Sequence, residues 1–187
     1  MGTEGIIFRL ATAADVGGYV SLTYSRDGVN FTRAPLENSM SAAAWSVPYN
    51  MSDGIYMSDI VVDSKNNIHI VYEETVMDLL DESQLASEMS SENPLRSAVL
   101  VHAEIHYRRS EDGGKTWTTP VNLSNTLDGT ARVRLSLDSQ DTLYVSWEVG
   151  WSRWGGSKAE PRYGVLVASS DGGQSWNRLA TFAEPEN

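Results

Sequence analysis

Two glutamates, Glu73 and Glu148, are the residues of this chain whose type and position best suit acid–base chemistry. Each ends a β-rich segment of the same kind, DSKNNIHIVYE at 63–73 and DSQDTLYVSWE at 138–148. Hydrolysis of a glycosidic bond uses two carboxyl groups roughly 5 to 9 Å apart, placed around the scissile bond. Glu73 and Glu148 are therefore candidate catalytic carboxylates, and the alternative is that both are ordinary strand residues.

Aromatic and basic residues form a second group, which suits the binding of a sugar. In the segment 148–162, EVGWSRWGGSKAEPR, two tryptophans flank an arginine. Aromatic rings offer a flat apolar surface, and a guanidinium pairs well with an acidic group. The alternative is that these rings pack against a neighbouring sheet or a partner chain. The predicted ligand-binding residues are Trp45, Tyr49, Trp151, Arg153, Trp154 and Arg162.

The sequence does not predict a metal or a cofactor. It has no cysteine, which excludes thiolate ligands and a thiol nucleophile. His102 and His106 are four residues apart on a predicted strand, so they lie about 13 Å apart along one face. That separation is too long for one ion, and no Asp-x-Asp-x-Asp loop for calcium is present.

Repeated turns determine where these candidate residues lie. SEDGGKTW at 110–117 and SSDGGQSW at 169–176 share the pattern Ser-x-Asp-x-Gly-x-(Ser/Thr)-Trp, and SRDGVNF at 25–31 is a weaker copy. In a tight hairpin Asp accepts backbone N–H groups, Gly supplies positive φ and Trp covers the turn. The predicted structural residues are Ser110, Asp112, Gly114, Trp117, Ser169, Asp171, Gly173 and Trp176.

Alternating apolar residues around these turns predict an all-β chain with about three four-stranded antiparallel blades. We predict one domain, 1–187, with a blade remnant at 5–38, a blade at 58–125 and a blade at 131–183. The remnant is predicted to lack its first strand. Because closed propellers have roughly four to eight blades, the ring is predicted to be partial.

The second blade contains a long insertion, 74–102. Its apolar residues Val76, Leu79, Leu80 and Leu85 have roughly helical spacing. We therefore predict a short amphipathic helix that ends before Pro94. It would cover its own blade or bind a partner.

Topology predicts where a ligand would bind. In a four-stranded meander A–B–C–D, the A–B and C–D turns lie at one face, and the B–C and D–A connections lie at the other. The long connections of this chain, 38–58, 74–102 and 148–162, are assigned to this second set, which we call the long-loop face. Long loops on a rigid scaffold commonly carry function.

The two turn motifs and the segments repeated before them resemble the Asp-box, or BNR-repeat, β-propellers from about residue 5 to residue 182. That group includes sialidases, some endoglucanases, sortilin-type receptors and assembly factors. For a sialidase the resemblance implies an arginine triad, a tyrosine nucleophile activated by glutamate, and an Asp acid/base. Phe8-Arg9-Leu10-Ala11 resembles the Phe-Arg-Ile-Pro motif, with Ala11 in place of the proline, so Arg9 is a candidate triad member. An extracellular or periplasmic location is also implied.

Charge limits the partners. The formal net charge of −11 argues against nucleic acid and anionic membrane surfaces. No apolar run reaches the roughly 18 residues of a membrane span. The remaining partners are a glycan or a protein, together with a second copy of the chain or the missing remainder of the propeller.

Three functions remain open at this point. The first is a binding module that holds carbohydrate or protein at its long-loop face. The second is an exo-sialidase or related glycoside hydrolase, as part of a larger or oligomeric enzyme. The third is a structural or accessory subunit of a larger assembly.

Overall fold

The computed structural model describes residues 10–25, 28–52, 57–79, 99–150 and 162–183. They form three four-stranded antiparallel sheets in chain order, and in each sheet consecutive strands are neighbours. The first sheet contains β1 Leu10–Ala14, β2 Tyr19–Ser25, β3 Val29–Pro35 and β4 Tyr49–Ser52. The second contains β5 Ser58–Val62, β6 Ile68–Leu79, β7 Val99–Ser110 and β8 Val121–Asn122. The third contains β9 Thr130–Leu137, β10 Leu143–Val149, β11 Tyr163–Ser169 and β12 Asn177–Ala183.

Helical structure is slight in the described residues. Two 3-10 turns, Leu36–Asn38 and Ala42–Ala44, lie between β3 and β4. No helix in these ranges has the length and apolar character needed to span a membrane. The prediction of about three four-stranded antiparallel blades is confirmed.

Side-chain alternation explains how the sheets stack. Along β10 every second residue is buried, from Leu143 through Val145 and Trp147 to Val149. These side chains meet Val71, Ile105 and Tyr107 of the second sheet in one apolar cluster, which we call the second seam. A separate cluster, the first seam, joins the first sheet to the second. The second sheet therefore has both faces covered, and all residues from 68 to 73 are buried.

The two predicted turn motifs are built by local hydrogen bonds. Asp112 Oδ1 accepts from the backbone N–H groups of Lys115 at 3.0 Å and Thr116 at 2.9 Å. The hydroxyl of Ser110 accepts from Gly114 N at 2.8 Å. Hydrogen bonds to Thr116 hold the pKa of Asp112 at about 2, because they favour the ionised carboxyl. The 169–176 turn repeats this pattern around Asp171, whose pKa is likewise lowered by its bonds to Ser175.

Both turns also bind the preceding sheet. A methyl group on Gly173 would overlap the Tyr107 hydroxyl, and one on Gly114 would overlap the Phe31 ring. Trp176 lies edge-on to Tyr107 with ring centroids 5.0 Å apart. Trp117 has the same edge-on relation to Phe31, also at 5.0 Å, so Phe31 repeats the role of Tyr107.

This equivalence corrects the predicted first blade. Since Phe31 takes the place of Tyr107, β3 is the third strand of its sheet, as β7 is in the second sheet. The 25–31 segment is therefore a B–C turn at the long-loop face and not a third copy of the C–D motif. The first strand is present as Leu10–Ala14, and the fourth is Tyr49–Ser52, so the predicted remnant 5–38 was wrong. A short Asp-Gly sequence favours any tight hairpin, whichever pair of strands it joins.

The predicted insertion is also shorter. β6 and β7 pair without a break from Ile68–Ser110 to Leu79–Val99, so residues 74–79 and 99–102 extend the hairpin. Val76 and Leu79 belong to β6, and their predicted helical assignment was wrong. A short apolar run has no clear period, and here the pairing with β7 decided the outcome. Leu80, Leu85 and Pro94 lie outside the described residues.

The end of the molecule opposite the long-loop face carries the A–B and C–D turns, and we call it the turn face. A buried histidine connects it to the second seam. His69 Nε2 lies 3.2 Å from Asp63 Oδ2, and Nδ1 lies 2.7 Å from the Tyr107 hydroxyl. An ionised carboxylate can only accept, so in the neutral ring Nε2 carries the proton. Nδ1 and Gly172 O, which lies 3.2 Å from the Tyr107 hydroxyl, then share the single proton of that hydroxyl as acceptors. Burial lowers the pKa of His69, and the attraction of Asp63 opposes this only in part. Gly172 O accepts from Arg109 Nη1 at 2.7 Å beside the same tyrosine.

We expect the free energy of unfolding to fall as the pH is lowered from about 7.5 to about 5.5, partly through His69. Its native pKa lies below the ordinary value of about 6.5, so below that pH the unfolded chain binds a proton that the native protein does not. Urea unfolding at both pH values should show a smaller decrease for His69→Gln than for the wild type. Equal decreases would contradict this assignment.

Candidate functional site

The site begins at an irregularity in β9. Between the pairs Arg134–Ser146 and Ala131–Glu148 the register shifts, so two residues of β9 face one of β10. Arg132 lies in this β-bulge with φ of 61°. Bulges redirect a side chain and bend the strand that carries them. This one lies at the long-loop face, where β10 ends at Val149.

Glu73 holds the backbone of this bulge from the second sheet. Its side chain is fully buried, and Oε1 accepts from Arg132 N at 2.7 Å. A second carboxylate of the same sheet, Asp59, accepts from Leu135 N at 3.0 Å. A buried carboxylate is costly unless donors satisfy it, so both contacts fix β9 against the second sheet.

Glu148 contacts the side chain of the same arginine. Arg132 Nη1 lies 3.0 Å from Oε1 and 3.2 Å from Oε2 of Glu148. The pair is solvated, with 54% of the Arg132 side chain and 35% of the Glu148 side chain exposed. Such an exposed ion pair contributes about 0–1 kcal/mol, so an external anion can compete with it.

A cleft of about 390 Å³ lies beside this ion pair. It combines one cation and one anion with an apolar wall. Such a mixture suits a ligand that has both a charged group and an apolar surface. The residues that line it are Arg132, Ser146, Trp147, Glu148, Gly164, Val165, Leu166 and Phe182.

The predicted carboxylates are thus brought together through one residue that the sequence did not reveal. Glu73 meets the backbone of Arg132, and Glu148 meets its guanidinium. The repeat that relates 63–73 to 138–148 includes both glutamates, but Arg132 lies before the second copy begins. No motif marks Arg132, because its importance comes from the bulge.

Trp45 and Tyr49 are not at this site. The segment 36–48 joins β3 to β4, so it is a C–D connection and not the predicted D–A loop. Ser46 N donates to Arg33 O at 2.8 Å at the turn face, and the neighbouring Trp45 donates from Nε1 to Ser39 O at 3.0 Å. Tyr49 lies in β4, with its ring centroid 6.2 Å from that of Trp117. The assignment of 38–48 to the long-loop face was therefore wrong, and the D–A connection is limited to the residues between β4 and β5.

Arg162 lies at the long-loop face, as predicted. It is half-buried and comes directly before Tyr163, which pairs with Val149 at the long-loop face. The remaining predicted residues, Arg9, Trp151, Arg153 and Trp154, lie outside the described residues.

Histidines and carboxylates do not converge on a metal site in the described ranges: no group of three or more suitable side chains is found there. His106 Nδ1 lies 3.9 Å from Glu74 Oε2. Burial raises the pKa of Glu74, but the attraction of His106 and the hydrogen bond from Ser52 outweigh it, and the net shift is downward. This pair is a local contact of the β6–β7 hairpin.

Comparison with known proteins identifies the fold only. No family model and no curated protein matches the sequence. A protein of unknown function from Dyadobacter fermentans matches 95% of the chain with a TM-score of 0.62 and 12% identity. A Hadza microbial sialidase matches 92% at TM-score 0.57 and 14% identity, and the NanB sialidase of Streptococcus pneumoniae matches 97% at TM-score 0.54 and 9% identity.

These structures are longer than this chain, which spans 55%, 37% and 44% of their respective lengths. With three four-stranded sheets, the chain has the fold of a partial β-propeller, similar to part of a sialidase propeller. At such low identity the likeness shows the fold and leaves substrate and activity open.

Proposed function

We propose that this chain is a carbohydrate-binding part of a sialidase-like propeller and that it binds a sugar bearing an acidic group at the Arg132 cleft. The observation that carries the proposal is the half-exposed Arg132 guanidinium beside an apolar wall at the long-loop face. Its planar fork can hold a carboxylate through two parallel hydrogen bonds. The exposed Phe182 and the half-buried Leu166 offer a surface for the C–H face of a sugar ring.

Glu148 sets the selectivity in this proposal. In the absence of ligand it neutralises Arg132, and a ligand carboxylate replaces it without leaving a buried charge unpaired. A neutral sugar gains no contact that offsets the loss of the Arg132–Glu148 pair. An acidic group is therefore favoured over a hydroxyl, despite the net negative charge of the chain.

The contacts of Glu73 and Glu148 favour a binding function over a hydrolytic one. The Glu73 carboxylate is buried and accepts a backbone N–H, so it has no access to a sugar. Both carboxylate oxygens of Glu148 lie within 3.2 Å of Arg132 Nη1, so this carboxyl is engaged by the guanidinium and is not aimed at a glycosidic oxygen. We assign both residues to support of Arg132.

The three sheets are proposed to form one partial-propeller domain that is completed by further sheets. The outer faces of the first and third sheets expose apolar side chains, including Leu10, Leu179 and Phe182. The Arg132 cleft opens on this outer face of the third sheet, so in this proposal the adjoining sheet forms the opposite wall of the cleft. The missing sheets come from the remainder of a longer propeller or from a second copy of the chain. Native mass distinguishes these sources, since one copy has a mass of 20.6 kDa.

We expect the chain to bind 3′-sialyllactose and to bind lactose, which lacks the carboxylate, at least tenfold more weakly. Arg132→Ala should reduce the affinity for 3′-sialyllactose about tenfold or more, because a hydrogen-bonded ion pair with the ligand is worth about 1.5–3 kcal/mol. Isothermal titration calorimetry measures both. Arg134→Ala is the matched control, since Arg134 is an exposed arginine of the same strand that is not among the residues lining the cleft.

Equal affinity for the two sugars, or equal losses in Arg132→Ala and Arg134→Ala, would contradict this proposal. The first result would remove the acidic group from recognition. The second would mean that Arg132 contributes only its positive charge to binding, as Arg134 does, and no specific contact.

A further inference from the structure

We propose that Glu73 is a positioning residue: it holds Arg132 in a left-handed backbone conformation, from which the guanidinium reaches Glu148 and the cleft. Its relevance to a ligand rests on the proposed function.

The backbone of Arg132 is unusual for its residue type. Four non-glycine residues in the described ranges have positive φ, and three of them are Asn66, Asn125 and Asp141. Asn and Asp tolerate this region because their short side chains bond to the nearby backbone. Arginine has no such compensation. A strained residue of this kind persists where the surrounding structure holds it and commonly marks a functional position.

Glu73 supplies the contact that holds it. The 2.7 Å bond from Arg132 N joins residues that lie 59 positions apart, on different sheets, and its acceptor is a charged group with no exposed surface. Hydrogen bonds to an ionised acceptor are short and strong in such surroundings. Asp59 and Leu135 fix the same strand three residues further on, so the bulge is held at both ends.

The consequence is a directed guanidinium. The bulge places two residues of β9 opposite one residue of β10 at this point, and Arg132 Nη1 then reaches both oxygens of Glu148. A regular strand would carry the Arg132 side chain from a different backbone direction. We infer that the buried Glu73, which never touches the ligand, determines the position of the group that does.

The first experiment compares Arg132→Gly with Arg132→Ala by thermal unfolding. Both variants lack the guanidinium, and they differ in the Cβ atom that makes a left-handed conformation unfavourable. At an ordinary strand position glycine is the less stable of the two. Here we expect the opposite order, with Arg132→Gly melting about 2–4 °C above Arg132→Ala. An alanine variant that melts at the same temperature or higher overturns the inference.

The second experiment tests Glu73 itself, with Glu104→Gln as the matched control. Glu104 is also a buried carboxylate of the second sheet, and its Oε1 accepts from Thr126 N at 2.9 Å. We expect Glu73→Gln to speed amide hydrogen exchange at Arg132 at least tenfold and to weaken 3′-sialyllactose binding to a similar extent. Glu104→Gln should change neither.

The readouts separate the two proposals. If the wild-type chain does not bind 3′-sialyllactose, the proposed function fails, while the order of melting temperatures and the Arg132 exchange rate still decide the positioning role. An exchange rate at Arg132 that is unchanged in Glu73→Gln, or raised equally by Glu104→Gln, overturns that role even where the sugar binds.

Discussion

Gly173→Ala is expected to lower the free energy of unfolding by about 2–4 kcal/mol, through backbone strain and overpacking together. Gly173 has φ of 85°, which disfavours any residue with a Cβ atom. The added methyl group would also overlap the Tyr107 hydroxyl, which His69 holds at 2.7 Å. Tyr107 cannot move away without losing that bond inside the second seam.

Gly18→Ala is the control that separates these two causes. Gly18 has a similar φ of 80°, but no atom lies within 4 Å of the position that a Cβ would take. Its replacement should cost only the backbone part, about 1 kcal/mol. Urea unfolding of both variants measures the difference. If Gly173→Ala is no more destabilising than Gly18→Ala, the turn does not pack on Tyr107 as described.

Trp147→Ala is expected to destabilise the protein by about 3–5 kcal/mol, the usual cost of removing a large buried ring. Trp147 is only 4% exposed and lies in the second seam among residues of both sheets. Its removal opens a cavity between the sheets, beneath the strand that carries Glu148 and lines the cleft. Sugar binding should therefore be lost together with stability.

Trp147→Phe should be far milder, below about 1.5 kcal/mol, since it keeps an aromatic ring at the site. Within the described part of the chain the indole Nε1 is buried and makes no hydrogen bond, so phenylalanine leaves no partner unsatisfied. Chemical unfolding of the two variants is the measurement. Similar losses for Ala and Phe would mean that the indole nitrogen has a partner that the seam does not show.

Most of the fold could be predicted from the sequence, because the signals are local. The turns at 110–117 and 169–176 close through bonds between residues two to four positions apart. The strands follow from an alternation of period two. The same local signals failed at 25–31, because this segment joins β2 to β3, a different pair of strands from the one predicted. Which strands a turn joins depends on what the sheet packs against.

The candidate site was predictable only in part. The repeat identified Glu73 and Glu148 and the face of the molecule on which they lie, and Arg162 was assigned to the same face. The repeat did not show that Glu73 is enclosed by the third sheet, or that Glu148 pairs with Arg132. Trp45 and Tyr49 were assigned to this face because 38–58 has no strong strand pattern, and β4 at 49–52 has only four residues.

By itself the sequence determined the second and third sheets, the two turn motifs and the matched glutamates, since each depends on residues that are neighbours along the chain. Tertiary structure alone decided the site. Arg132 takes its left-handed conformation in contact with a carboxylate 59 residues away, and its guanidinium then pairs with Glu148. Neither contact has a local pattern, because a bulge and a bond between sheets form only when two sheets pack together.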